Sequence, residues 1–305
     1  MRLIVMGQQA FGKDVLAKLL ETGTDEVVAV YCEPDREGKP VDPIKEFALA
    51  KGLPVLQPAH FKDSSTLDEL AAFDADLMIM AFVNIFVPQA ARDMPKLGST
   101  CFHPSLLPLH RGPSAVNWPI IMGRQKSGYS WFYPSDGLDE GDVLLQWECD
   151  IGPDDTVIDL YFKKIYPSAV ESVLKVCDLY RSGNPPHIHQ DESKATYERR
   201  CTRKHTHIDW NKPVGQVYDL IRGANPAPGA WTKHGDTEVR IFDSSRQSGD
   251  GISGRVIAVA EEGVTVQCIG GRILVKRVKP AGGEKQAASV WAASVGLSAG
   301  DVLGA

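Results

Sequence analysis

Through its first hundred residues the chain alternates short, almost wholly apolar runs with stretches whose apolar residues recur every three or four positions. RLIVMG (2–7), EVVAVYCE (26–33), PVLQ (54–57) and ADLMIMAF (75–82) are the apolar runs, and KDVLAKLLE (13–21), PIKEFALAKG (43–52) and TLDELAAF (66–73) lie between them. A strand that is apolar at every position is buried on both faces, so alternation with amphipathic helices predicts a mostly parallel sheet covered on both sides, a doubly wound α/β arrangement. Ligands of such sheets bind beyond the carboxyl ends of the strands. GSTCFH (98–103) reads as the next strand, which puts His103 at such an end.

Beyond it, SGYSWFYP (127–134) and DVLLQWECD (142–150) flank the acidic, glycine-bearing SDGLDEG, a hairpin with a long connection. A helical pattern covers Asp155 to Tyr180, with Pro167 placed to kink or split it. Residues 181–204 are polar, proline-bearing and charged, and the domain boundary is expected there. One helix, PVGQVYDLIRGA (213–224), and several short glycine-punctuated β runs follow, as in a small β-barrel. At 305 residues two domains are expected: a Rossmann-like catalytic domain over 1–195, a linker over 196–204 and an OB-like barrel over 205–305.

No apolar run reaches the ~18 residues of a membrane span. The start, MRLIVMGQQAFG, is too short for a secretory apolar segment and reads as mature chain; cytoplasm is the expected compartment. Six cysteines without a CxxC pair fit reduced thiols. A net charge of -6 offers no general attraction for polyphosphate, so any RNA partner would need a local patch. RILVKRVK (272–279) is the one basic strand, yet residues 205–305 hold 11 Lys plus Arg against 10 Asp plus Glu, and a solvated β face is expected.

GQQAFGKD (7–14) comes near a phosphate loop, but Asp14 stands where a metal-holding Ser or Thr is needed, and the spacing is not GxGxxG; a glycine-rich β-to-α turn is the reading. His187, His189, Cys201, His205 and His207 offer HxH spacing without a third ligand at fixed short distance, and a solvated linker with no metal is expected. The stronger constellation is His103 with Asp139, whose loops can open on one sheet edge, a meeting that the spacing permits without demanding. An imidazole can donate or polarise near neutral pH while a carboxylate beside it orients it or moves a proton, a pair suited to attack on a carbonyl. The alternative is that His103 caps a strand and Asp139 a turn.

FHPSLLPLHRGPSAVNW (102–118) followed by SDGLDEGDVLLQ (135–146) resembles the signature of the folate-dependent formyltransferases, a family that includes methionyl-tRNA formyltransferase and the N-terminal hydrolase domain of 10-formyltetrahydrofolate dehydrogenase. GQQAFGKDV, FVNIFVPQAA (82–91), PDDTVIDLYFKKIYP (153–167) and IRGANPAPGAWT (221–232) are similar to that hydrolase domain, to which the whole chain has most likeness. The resemblance implies His103 and Asp139 as the catalytic pair. It implies a folate held mainly by main-chain groups at Phe82, Val83, Asn84, Ile85, Phe86 and Val87 and at Asp136, Gly137 and Leu138, with 10-formyltetrahydrofolate as one-carbon donor and no metal. Cys101, Ser105, His110 and Arg111 would lie on the oxyanion or acceptor side. Amine formyltransferases carry Asn two residues before the histidine; here it is Cys101, a poor donor, and the hydrolase domain likewise lacks that asparagine. Leu109 replaces the basic residue that tRNA-acting members place after LLP, which argues against tRNA.

The expected reaction is therefore cleavage of 10-formyltetrahydrofolate to tetrahydrofolate and formate. Transfer to methionyl-tRNA or to a small amine or amino sugar is the first alternative and a non-catalytic folate-binding module the second. Oligomeric state has no signal in the sequence.

Overall fold

A computed structural model describes residues 1–304. In chain order the elements are β1 (Arg2–Gly7), α1 (Gln9–Thr22), β2 (Glu26–Tyr31), α2 (Pro43–Ala50), β3 (Val55–Leu56), α3 (Ser64–Ala72), β4 (Leu77–Ala81), α4 (Gln89–Arg92), β5 (Ser99–His103), α5 (Asn117–Ile121), β6 (Lys126–Phe132) and β7 (Val143–Asp150). After a π-helical stretch, Asp159–Ile165, come α6 (Tyr166–Arg181), α7 (Val214–Gly223), β8 (Ala230–His234), β9 (Thr237–Gln247), β10 (Val256–Ala260), β11 (Gly263–Cys268), β12 (Gly271–Pro280), β13 (Gln286–Ala287) and α8 (Ala288–Ser294). Pro167 does not split the helical pattern, which runs unbroken over 157–181; it sits just inside α6, where the π-helical turns give way to α-helix.

The residues cluster into two compact units. The first comprises Met1–Arg111, Gly128–Glu148 and Lys164–Tyr197; the second comprises Gly112–Ser127, Cys149–Lys163 and the chain from Glu198 onward. In the first unit a seven-stranded sheet runs in the order β3-β2-β1-β4-β5-β6-β7. The pairs among β1 to β5 are parallel, and β6 turns antiparallel against β5 with Cys101 opposite Phe132 and His103 opposite Ser130. Strand order reverses between β1 and β4, which makes the carboxyl ends of those strands the crevice of the sheet. Ile4, Met6, Met78 and Met80 are buried there as the apolar runs require.

In the second unit β10-β11-β12-β9-β8 form an antiparallel sheet, with β13 on β12. Val264, Val266, Ile273, Val275 and Trp291 fill its core. A separate region of short strands is as expected; closure into an OB-like barrel is not among the pairings of the described residues, where β10 and β8 are the two ends. Helix α5 belongs to this unit because Asn117 Nδ2 donates to the carbonyls of Gly223 (2.8 Å) and Ala227 (3.2 Å). Gly223 has the room for it: a Cβ there would meet Ile121 Cγ1 at 2.6 Å. Among the described residues no helix is long and apolar enough to cross a membrane.

Candidate functional site

GQQAFGKD takes in the end of β1, the turn at Gln8 and the start of α1. A Cβ on Gly7 would fall 2.6 Å from the Ala81 carbonyl oxygen, and one on Gly12 would fall 3.0 Å from the Gly7 carbonyl carbon, so both glycines are needed for packing against the end of β4. Lys13 pairs with its neighbour Asp14 at 3.3 Å. The turn thus has a structural reason for its composition that calls for no phosphate.

At the end of β5, His103 is 7% exposed. Its Nε2 lies 2.9 Å from the His110 carbonyl oxygen. A carbonyl only accepts, so Nε2 carries the proton and Nδ1 is the nitrogen turned to the chemistry. Nδ1 faces Asp139 Oδ2 at 3.5 Å. The loop 104–111 that returns the His110 carbonyl is built from within. Ser105, fully buried, donates from its Oγ to the Leu109 carbonyl at 2.6 Å, and Ser130 Oγ donates to the Ser105 carbonyl at 2.8 Å. His110 itself holds φ +58°.

Asp139 arrives from the connection between β6 and β7, also in the left-handed region at φ +58°. Two glycines shape that connection: a Cβ on Gly141 would sit 1.6 Å from the Tyr133 carbonyl oxygen, and one on Gly137 would sit 1.8 Å from a Glu140 carboxylate oxygen. Arg92, 5% exposed at the end of α4, donates to the Val87 carbonyl at 2.9 Å and to Asp136 Oδ1 at 2.6 Å. That single guanidinium brings the loop after β4 and the loop after β6 together.

Of the expected folate contacts, Phe82, Asn84, Phe86, Asp136 and Leu138 are exposed, whereas Val83, Ile85 and Val87 pack into the core beneath them. Phe82 is held at φ +65°, and Asn84 Nδ2 donates to Gln8 Oε1 at 3.1 Å, fastening the loop after β4 to the turn after β1. Exposed Phe82, Phe86 and Leu138 are apolar surfaces at the rim where a flat ring system could lie, while Gly137 is half-buried within the bend.

Cys101 is half-buried beside the pair. Burial pushes its thiol well above the usual range and the negative charge of Asp139 adds to the rise, so it is a neutral S–H and neither a thiolate nor a strong donor. Arg111 is wholly enclosed, its guanidinium bonded to Gln190, Glu192 and Tyr197 and the Tyr197 ring 5.0 Å away. Ser105 and Arg111 therefore spend their polar groups inside the unit; His103, Asp139 and Cys101 are the members brought together.

The polar stretch read as a solvated linker is docked over residues 187–197. Ile188 bridges Val143, Tyr197 bridges Arg111, His189 Nδ1 lies 2.7 Å from Asp142 Oδ1 and the His187 ring stacks on Tyr133. Its side chains are polar because their partners are a buried guanidinium and the groups of the β6–β7 loop. Gln190, from this stretch, and Arg92 are the site residues that sequence reasoning missed. Neither stands in a recognisable motif; only Arg92's place between apolar Ala91 and a strand hinted at burial. Among the described residues no group of His, Cys, Asp and Glu is arranged to hold a metal.

Known proteins resemble this chain in sequence and in fold. The formyl transferase family matches residues 1–169, and its C-terminal domain matches residues 200–296. Cytosolic 10-formyltetrahydrofolate dehydrogenase of Xenopus tropicalis is 37% identical over 250 residues, 80% of this chain; the match spans only 28% of that protein. Methionyl-tRNA formyltransferase of Trichlorobacter lovleyi is 31% identical over 307 residues, covering 99% of this chain and 96% of its own. In fold, an N-formyltransferase of Helicobacter canadensis in complex with folinic acid and dTDP-3-aminofucose superposes with a TM-score of 0.68 at 19% identity, over 90% of this chain and 98% of that one. On a match that takes in both parts of the sequence and a relative of nearly equal length, the chain belongs to the formyl transferase family.

Proposed function

We propose that the protein cleaves 10-formyltetrahydrofolate with water as acceptor, giving tetrahydrofolate and formate. The observation that carries this reading is the pairing of His103 Nδ1 with Asp139 Oδ2 beside a cysteine that cannot replace a strong oxyanion donor. Water attacks the formyl carbon while Asp139 takes its proton, and the new C–O bond leaves negative charge on the formyl oxygen. The proton Asp139 has taken passes to His103 Nδ1, where it stabilises that charge, and the fixed Nε2 bond to His110 keeps the ring in place as it does so. The C–N10 bond then breaks, its electron pair goes to N10, and N10 takes the proton gathered by the pair. The formic acid so formed loses its hydroxyl proton to solvent, and formate and tetrahydrofolate leave. Phe82, Phe86 and Leu138 would flank the pteridine, and the two loops, one turned at left-handed Phe82 and the other at left-handed Asp139, would hold the carbonyl at a fixed distance from both groups.

Transfer to an amine is the second reading, favoured by the match along nearly the whole length of a methionyl-tRNA formyltransferase. The experiment that separates the two is turnover of 10-formyltetrahydrofolate without acceptor, following tetrahydrofolate and formate together. Equimolar release by the wild type, lost in His103→Ala and Asp139→Ala, is expected. If formate forms only once an amine or charged tRNA is added, water is the wrong acceptor; if nothing forms in either case, the catalytic reading fails.

A further inference from the structure

We infer that Gln190 is a positioning residue for Asp139, acting through the backbone of the β6–β7 loop; the inference rests on His103 and Asp139 being the reacting pair. Gln190 is 6% exposed and lies in a stretch that neither matched segment of the family spans. Its Nε2 donates to the carbonyls of Asp139 (2.8 Å) and Gly141 (2.6 Å). Its Oε1 accepts from Arg111 Nε (3.2 Å) and Nη2 (2.8 Å). One end of the amide meets only acceptors and the other only donors, so its orientation is determined by its partners and no other side chain of that length offers both.

The clamp is placed where the loop needs one. Asp139 is a non-glycine residue at φ +58°, a conformation that persists only when the surroundings impose it. Gln190 grips the carbonyls on either side of Glu140, and Tyr197 Oη donates to Glu140 Oε1 at 2.7 Å. Arg111, to which both Gln190 and Tyr197 are bound, directly follows His110, whose carbonyl holds the His103 ring. The two halves of the reacting pair are thereby referred to one buried guanidinium: His103 through the chain at 110–111, Asp139 through Gln190. Without the amide the loop is released toward an ordinary backbone conformation, and the carboxylate leaves the imidazole.

Gln190→Leu keeps the volume and removes the clamp; Gln190→Glu keeps the length and the oxygen facing Arg111 but replaces the donor with a carboxylate oxygen that repels both carbonyls. Both are expected to lower kcat about 10- to 100-fold with a smaller rise in the KM for 10-formyltetrahydrofolate, because the carboxylate moves while Phe82 and Phe86 on the loop after β4 stay and only Leu138 shares the moving loop. In single-turnover measurements, adding Gln190→Leu to Asp139→Ala is expected to cost less than about twofold more, since a residue that acts through Asp139 has nothing left to position. Losses that multiply in the double variant, or a rise in KM at unchanged kcat, would overturn the inference. Should Gln190→Leu melt far below the wild type, Gln190→Glu carries the same test. Full turnover by Asp139→Ala sinks the reading of the pair itself; an inactive Asp139→Ala beside fully active Gln190 variants sinks only the role of Gln190.

Discussion

His103 has two ring nitrogens and the fold commits one of them. With Nε2 tied to a backbone carbonyl, only Nδ1 can exchange a proton with Asp139 or with a developing oxyanion, so the tautomer is set by the loop. Cys101 next to it is the residue whose chemistry the structure narrows most. Thiolate is the reactive form, and both burial and the Asp139 charge oppose it. At pH 8 iodoacetamide should modify Cys101 at least tenfold more slowly than free cysteine, whose thiol titrates near ~8.5, and Asp139→Asn should speed it by removing the opposing charge. Peptide mass spectrometry reads the site directly; labelling as fast as that of a free thiol would reverse the assignment.

Among the elements, the β6–β7 connection makes the strictest demands. A Cβ on Gly141 would lie 1.6 Å from a backbone oxygen, which cannot swing aside as a side chain can, so Gly141→Ala must displace the loop. Turnover is expected to fall roughly 100-fold, as for a small misplacement of a catalytic group, while the melting temperature drops only a few degrees. Wild-type kcat in that variant would show that the loop's path is not needed. The π-helical stretch gives a pH-dependent case. Asp159 at its start accepts from Thr156 N (3.0 Å) and Oγ1 (2.7 Å) and pairs with Lys163 at 2.5 Å. Burial opposes the charge of this carboxyl, but Lys163 and Thr156 outweigh it and hold the group at about 2, below the 3.8 of an unpaired aspartate. The unfolded chain therefore takes up the proton first, and stability rises with pH across that window. Asp159→Asn should lose about 1 kcal/mol at pH 7, after allowing for solvent screening, and the deficit should vanish between pH 4 and 2 in urea titrations.

For the molecule as a whole, a net charge of -6 and a nearly neutral C-terminal hundred residues provide no strong field for nucleic acid. Binding to uncharged tRNA should be weaker than ~10⁻⁶ M at physiological salt in filter or fluorescence assays; tight, salt-steep binding would instead support tRNA as acceptor. The parallel pairing of the first five strands was legible because strands buried on both faces are apolar at every position, as EVVAVY and LMIMA are. His103 at a strand's carboxyl end followed from the same pattern. Gln190 and Arg92 were not legible: a polar residue in a polar stretch looks the same whether it faces water or a buried carbonyl, and only long-range contact, 51 residues from Gln190 to Asp139, tells them apart. The grouping of residues 112–127 with the second unit was hidden for a like reason, since Asn117 finds its carbonyl partners more than a hundred residues away. Local periodicity is a property of the chain alone, and it determined the layers of the first unit and the strand end that bears the histidine. Which polar atoms become partners depends on what folding removes from water, and so the ring nitrogen left free for chemistry, the backbone conformation of Asp139 and the clamp that imposes it were decided only in three dimensions.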